Sequence, residues 1–365
     1  TLLCKFDGQR VTMASQIAGA DETVSSLYSV KSEQATMLSF DTYNYLVHYF
    51  GQPQGSMADD PNGTLGGDYE FVISDATADR IELKGKKYGN RIVMKAFSAD
   101  QTWKQYLTRI KKVEDDAFFY EYDLRMDGLY TGQMLRSNYT FIVTYYDEVG
   151  KVHQKTVPFM FTTDGMRFHE PMTIDGQTMQ NFVWKNEEIS FVCTDEGATE
   201  VKLAGVYTAG YQSYDYYPGT YQMDFYRLND ATNQMEVASQ EIQLVKDEDG
   251  KSYWLKGLEY DILVTYDKPR GGLSILPQFL KKVQGGYVYL AMWDLMNDYV
   301  LRSSAIGLIS YPTTDGIYLV DNGVWMGEIS GFIFGVYDSQ DEEASFMGYT
   351  DAVAAIRLIK KTIEE

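Results

Sequence analysis

The sequence predicts an all-β protein with minor α content. It predicts two β-barrel or sandwich-like domains built from antiparallel meanders, with one short helix near residues 102–113. Three observations carry this. Tyrosine supplies 30 of 365 residues and aromatics make up 15% of the chain; such rings suit half-buried pleated surfaces. Short apolar runs are punctuated by Asp-Gly, Gly-Gly and Gly-Asn turn signals throughout. Apolar residues at sustained three- and four-residue spacing are clearest in one short stretch, residues 102–113.

In chain order, "TLLCKF" and "RVTMASQI" flank Asp7-Gly8 as a hairpin, and "SLYSVK" and "ATMLSF" follow. "DTYNYLVHYF" admits a helical turn or an extended segment. Residues 51–67 form a Gly/Pro/Asp-rich loop. "DYEFVIS", "RIELKGKK" and "NRIVMKAF" complete a meander of about seven strands, predicting a closed or nearly closed barrel in residues 1–100. The helix is set by Trp103, Tyr106, Leu107 and Ile110. Further strands follow in 139–161, a hairpin about residues 148–150, and in 165–184 around Asp175-Gly176. The polar stretch "CTDEGATEVKLAG" places the main boundary near residue 200, giving domains 1–200 and 201–365. The second half reads as strands again. Its last segment, "DAVAAIRLIKKTIEE", suits either a helix or a closing strand.

Charge excludes one class of partner. With 32 basic and 52 acidic residues the net charge is −20, so a nucleic acid should be repelled. No run of 18 apolar residues occurs, which excludes a membrane-spanning helix. Cys4 and Cys193 lie in no zinc or redox spacing. A lipidated Cys4 is rejected because Leu3 is too large for the preceding position. A chain entering a strand directly at Thr1 is read as lacking upstream sequence, with a leader and part of a first strand. Any membrane attachment is expected through a lipid anchor there.

Catalytic motifs are missing from the sequence. Neither GxSxG, nor a Walker loop, nor GxGxxG is present. His169-Glu170 lacks the second histidine of a metalloprotease helix. "ADDPNG" and "KDEDGK" do not match a calcium loop. Asn62 and Asn138 head glycosylation sequons that matter only in a eukaryotic secretory setting. The sequence assigns no catalytic residue, metal or cofactor, and leans away from an enzyme.

"YQSYDYYPGTYQMDFY", residues 211–226, is the remaining candidate. Its tyrosines either cover the open end of a barrel or make a ligand platform, and the architectural reading is favoured. On the second reading, Tyr214, Tyr216, Tyr217, Trp293 and Trp325 border one aromatic patch at an end of the second domain. Trp293 and Trp325 lie near turn signals, where binding residues concentrate.

"LLCKFDGQRVTMASQI", "SLYSVKSEQATMLSFDTYN", "GGDYEFVISDATADRIELKGKKYGNRIVM" and "PFMFTTDGMRFHEPMTIDGQTMQNFVW" resemble a family of Bacteroides-type secreted lipoproteins, domain-of-unknown-function family 4302. The resemblance implies an outer-membrane lipoprotein of the bacterial envelope, on the cell surface or periplasmic face, whose relatives accompany nutrient-uptake systems. It implies no catalytic residues. The expected function is non-enzymatic binding of a glycan, peptide or other small ligand, or of outer-membrane uptake proteins. A hydrolase and a structural adhesin are the alternatives. A flat aromatic strip would favour sugar binding, and long exposed strand edges would favour assembly.

Overall fold

The computed structural model describes residues 1–32, 35–52, 66–147, 149–229, 231–232, 234–341 and 343–361. The Asn62 sequon, the "ADDPNG" loop and Glu148 lie outside these. Strand accounts for 57% and helix for 5% of the described residues, so the protein is all-β. The chain divides into two compact units, Thr1–Val206 and Tyr207–Glu365.

The first unit opens with seven antiparallel strands in sequence order: β1 (Leu2–Asp7), β2 (Arg10–Ser15), β3 (Val24–Ser32), β4 (Thr36–Phe40), β5 (Glu70–Ala76), β6 (Arg80–Gly85) and β7 (Arg91–Lys95). The expected meander is present, but it is an open half-barrel. Among the described residues β1 and β7 do not pair, so closure in residues 1–100 is corrected. Val11, Met13, Leu38, Phe40, Phe71 and Leu83 fill its concave face. The ambiguous "DTYNYLVHYF" contains one helical turn, α1 (Tyr45–His48), started by the Asn44 side chain accepting the Leu46 N–H.

The helix predicted near 102–113 is α2 (Trp103–Asp116). Thr102 and Gln105 form a capping box at its start. Its apolar face divides: Leu107 packs on Leu3 and Ala14, while Ile110 and Val113 join the next core.

That core fills a closed barrel of eight antiparallel strands: β8 (Glu121–Met126), β9 (Leu129–Ser137), β10 (Thr140–Tyr146), β11 (Val152–Phe161), β12 (Gly165–Ile174), β13 (Gln177–Lys185), β14 (Ser190–Cys193) and β15 (Lys202–Val206). Closure comes from β15 pairing with β8, from Lys202 opposite Arg125 to Val206 opposite Glu121. Eight strands leave an interior that side chains can fill. Tyr122, Phe141, Phe159, Phe161, Phe168 and Phe191 are all buried there, with Phe141 and Phe159 stacked at 4.4 Å.

The second unit contains another closed eight-stranded barrel: β16 (Gly219–Asn229), β17 (Gln234–Lys246), β18 (Ser252–Lys256), β19 (Ile262–Asp267), β20 (Gly272–Ile275), β24 (Leu308–Thr313), β25 (Gly316–Asp321) and β27 (Phe346–Lys360), which returns to β16. The ambiguous C-terminal segment is therefore the closing strand. β27 outruns the barrel, and on its N-terminal half the sheet continues through β26 (Gly331–Tyr337) and β22 (Gly286–Asp294) to β21 (Gln278–Val283). β23 (Tyr299–Leu301) pairs β22 beyond β21. One face of this extension, with Val288, Leu290, Met292, Phe332 and Phe334, belongs to the barrel's apolar core. Side-chain alternation turns Tyr287, Tyr289 and Tyr337 to the other face. Edge strand β21 carries Lys281 and Lys282, which discourage edge-to-edge pairing.

Candidate functional site

The tyrosine stretch lies across the barrel end that carries the β17–β18 and β19–β20 turns. Tyr217, Tyr221 and Tyr253 are buried, and their hydroxyls are spent on backbone. Tyr217 donates to the Gly271 carbonyl at 2.8 Å, Tyr221 to Tyr217 at 2.7 Å and Tyr253 to Tyr214 at 2.6 Å. Tyr214 donates to the Ser252 carbonyl and stacks on Tyr253 at 4.7 Å. Tyr266 donates to the Gln212 carbonyl at 2.8 Å. Burial raises the phenol pKa values of Tyr221, Tyr253 and Tyr266. Tyr216 is the outward ring, and the Lys360 ammonium lies 4.9 Å from its centre. These rings tie a lead-in segment over the barrel end.

The two tryptophans lie elsewhere. Trp293 is 5% exposed, in a small cluster with Ala291, Ile333, Ala352 and Ala354. Its strand meets β27 through Gly331 opposite Ala354, whereas Tyr221 lies opposite Lys360. That separation is about 20 Å along the strand. Trp325 follows β25, at the opposite barrel end from the tyrosines. Its indole N–H donates to the Asp294 carboxylate at 3.0 Å, and its ring meets Tyr299 edge-on at 5.7 Å. No ring contact joins Tyr214, Tyr216 or Tyr217 to either tryptophan among the described residues. Trp254 donates to Asp247 at 3.1 Å. The acidic "KDEDGK" turn uses Asp249 to accept the Lys251 and Ser252 N–H groups.

A different set of rings is brought together on the outer face of the extension. Phe279 meets Tyr289 at 5.4 Å, Tyr289 meets Tyr337 at 5.7 Å and Tyr337 meets Phe346 at 5.5 Å, with Tyr287 6.4 Å from Phe279. The row crosses β21, β22, β26 and β27, or about 14 Å at the usual strand spacing. Gly335 makes room for it, since a Cβ there would lie 2.9 Å from the Tyr337 ring and 3.1 Å from Phe346. Arg302 covers the middle, its guanidinium 4.8 Å from the Tyr289 ring and 4.2 Å from Tyr337, while donating to the Asp341 carbonyl at 2.5 Å. Lys282 lies 5.4 Å from Tyr287. Phe279, Phe346 and Met347 are exposed. Asp338, Asp341 and Glu343 follow β26, and Arg302 links the Asp341 carbonyl to the strip.

Residues 1–186 match the model of a family described as a domain of unknown function, DUF4302. The chain belongs to this family. Residues 194–333 match a second family model, also described only as a domain of unknown function, DUF4987; it takes in β21, β22 and Trp325. No match occurs among curated proteins or solved structures.

The strip was not singled out in sequence because "GYVYLAMW" reads as an ordinary strand. Aromatics at period two look the same whether they face a core or solvent. The usable signal was that Val288 and Leu290 already supply the inward face, which leaves Tyr287 and Tyr289 outward. No group of three or more His, Cys, Asp or Glu side chains placed to hold a metal occurs among the described residues. His153 pairs with Asp147 at 2.9 Å and stacks on Tyr145.

Proposed function

We propose that this DUF4302-family chain is a non-enzymatic ligand-binding protein of the bacterial envelope, an accessory to nutrient uptake, and that its outer aromatic strip holds a neutral glycan. The observation that carries this reading is the row Phe279, Tyr289, Tyr337 and Phe346 on the face of the extension turned away from the barrel core, with Phe279 and Phe346 exposed, Tyr289 half-buried and Tyr337 buried between Tyr289 and Phe346. Aromatic faces carry negative quadrupole potential, which suits the C–H faces of sugar rings. Rigid rings lose little entropy on binding. The half-buried Tyr287 and Tyr289 offer their hydroxyls as hydrogen-bond partners for sugar hydroxyls, and Arg302 joins the strip to the Asp341 carbonyl. A net charge of −20 disfavours anionic polysaccharides. The envelope setting rests on the lipoprotein resemblance in the sequence.

Native affinity electrophoresis through gels containing xyloglucan, galactomannan, dextran or α-mannan tests the reading, with polygalacturonate as an anionic control. At least one neutral polysaccharide should retard the protein. Phe279→Ala with Phe346→Ala should then weaken binding about tenfold, since each ring is worth about 0.5–1.5 kcal/mol beyond its area. No retardation by any neutral polysaccharide, or retardation unchanged in the double variant, would overturn it.

A further inference from the structure

The second unit has another exposed apolar feature, independent of the strip. It is built from two loops, residues 294–299 between β22 and β23 and residues 321–329 after β25. Met326 is 94% exposed, Met296 82%, Val324 56% and Tyr299 54%, with Trp325 half-buried beside them. Single exposed apolar residues are ordinary, but a contiguous group marks an interaction surface.

The loops are held in place. Asp294 accepts the Asn297 backbone N–H at 3.1 Å, its side-chain amide at 2.9 Å and the Trp325 indole at 3.0 Å, so one carboxylate joins both loops. Asp321 accepts the Gly323 and Ile329 N–H groups, and Asn322 accepts the Val324 N–H while donating to the Ala305 carbonyl. Gly327 passes so close that a Cβ would lie 2.1 Å from Asp294 Oδ2 and 2.7 Å from the Trp325 indole nitrogen. Val324 and Met326 are thus presented on ordered backbone, which lowers the entropy cost of docking.

Charge says what would cover them. The two loops carry Asp294, Asp298, Asp321 and Glu328 and no Lys, Arg or His. Asp294 and Asp321 are consumed internally, leaving Asp298 and Glu328 exposed at the rim. An anionic membrane surface is recognised through Lys and Arg, which these loops lack. An adaptable Met-bearing surface with an acidic rim complements a segment that combines apolar side chains with Lys or Arg.

We propose that the tip formed by Met296, Tyr299, Val324, Trp325 and Met326 is a docking surface for a basic amphipathic segment of a partner protein. The full chain labelled with 5-fluorotryptophan tests this by fluorine NMR, with the Trp325 resonance assigned from Trp325→Phe. A model amphipathic helix of Leu and Lys is the probe. It should shift the Trp325 resonance saturably, and Val324→Ser with Met326→Ser should weaken the interaction at least tenfold while leaving the rim charges in place. Raising salt from about 50 to about 500 mM should weaken it too. Three results would overturn the proposal: no Trp325 response to the peptide, equal affinity in the double-serine variant, or a Trp325 response to phosphatidylcholine vesicles in place of the peptide. None of these depends on whether the strip binds a glycan.

Discussion

Removing the Tyr253 hydroxyl leaves the Tyr214 carbonyl unpaired at the barrel end. Their hydrogen bond is 2.6 Å long and Tyr253 is buried. An unsatisfied buried carbonyl costs about 1–3 kcal/mol. Tyr253→Phe should therefore lower the melting temperature of the second unit by roughly 2–12 °C, since each kcal/mol moves a domain of this size by about 2–4 °C. Differential scanning calorimetry reads the shift; an unchanged transition would refute the tie. At this scale the sequence was half legible. Six tyrosines in sixteen residues were visible, and their role in covering a barrel end could be read. Which hydroxyls are spent on carbonyls of distant turns, such as Tyr217 on Gly271, depends on pairing that local pattern does not encode.

At the scale of elements, the loop pair at the tip depends on one carboxylate. Hydrogen bonds, first from the Asn297 side chain and then from the Trp325 indole, hold the Asp294 carboxyl below its usual pKa. A lowered folded-state pKa means a contribution present above the unfolded value, about 3.9, and lost as pH falls beneath it. The Trp325 fluorine resonance should therefore stay constant from pH 8 to about pH 4.5 and move only under stronger acid. Movement between pH 7 and pH 5 would contradict the assignment. The elements themselves were largely legible. Helix α2 announced itself through its spacing, and most hairpins through Asp-Gly and similar turns. The last strand, β27, was not resolved from sequence because Val353, Ile356 and Ile359 satisfy a helical period. Its pairing with β16, more than 120 residues earlier, decides the matter.

For the whole molecule, hairpins are local and closure is not. The open run β1–β7 and the closed run β8–β15 look alike in sequence, because the bond that distinguishes them is β15 to β8. The same limit hid the aromatic strip, whose four rings come from four strands spread over residues 279–346. The central claim is that the second barrel's tyrosine end is sealed and that ligand is held on the outer strip. Nitration with tetranitromethane, mapped by mass spectrometry with and without the retained neutral polysaccharide, tests it most directly. Tyr217, Tyr221 and Tyr253 should stay unmodified throughout, while Tyr287 and Tyr289 should be nitrated in the free protein and protected by the polysaccharide. Protection at Tyr214 and Tyr216 with none at Tyr287 and Tyr289 would contradict the account.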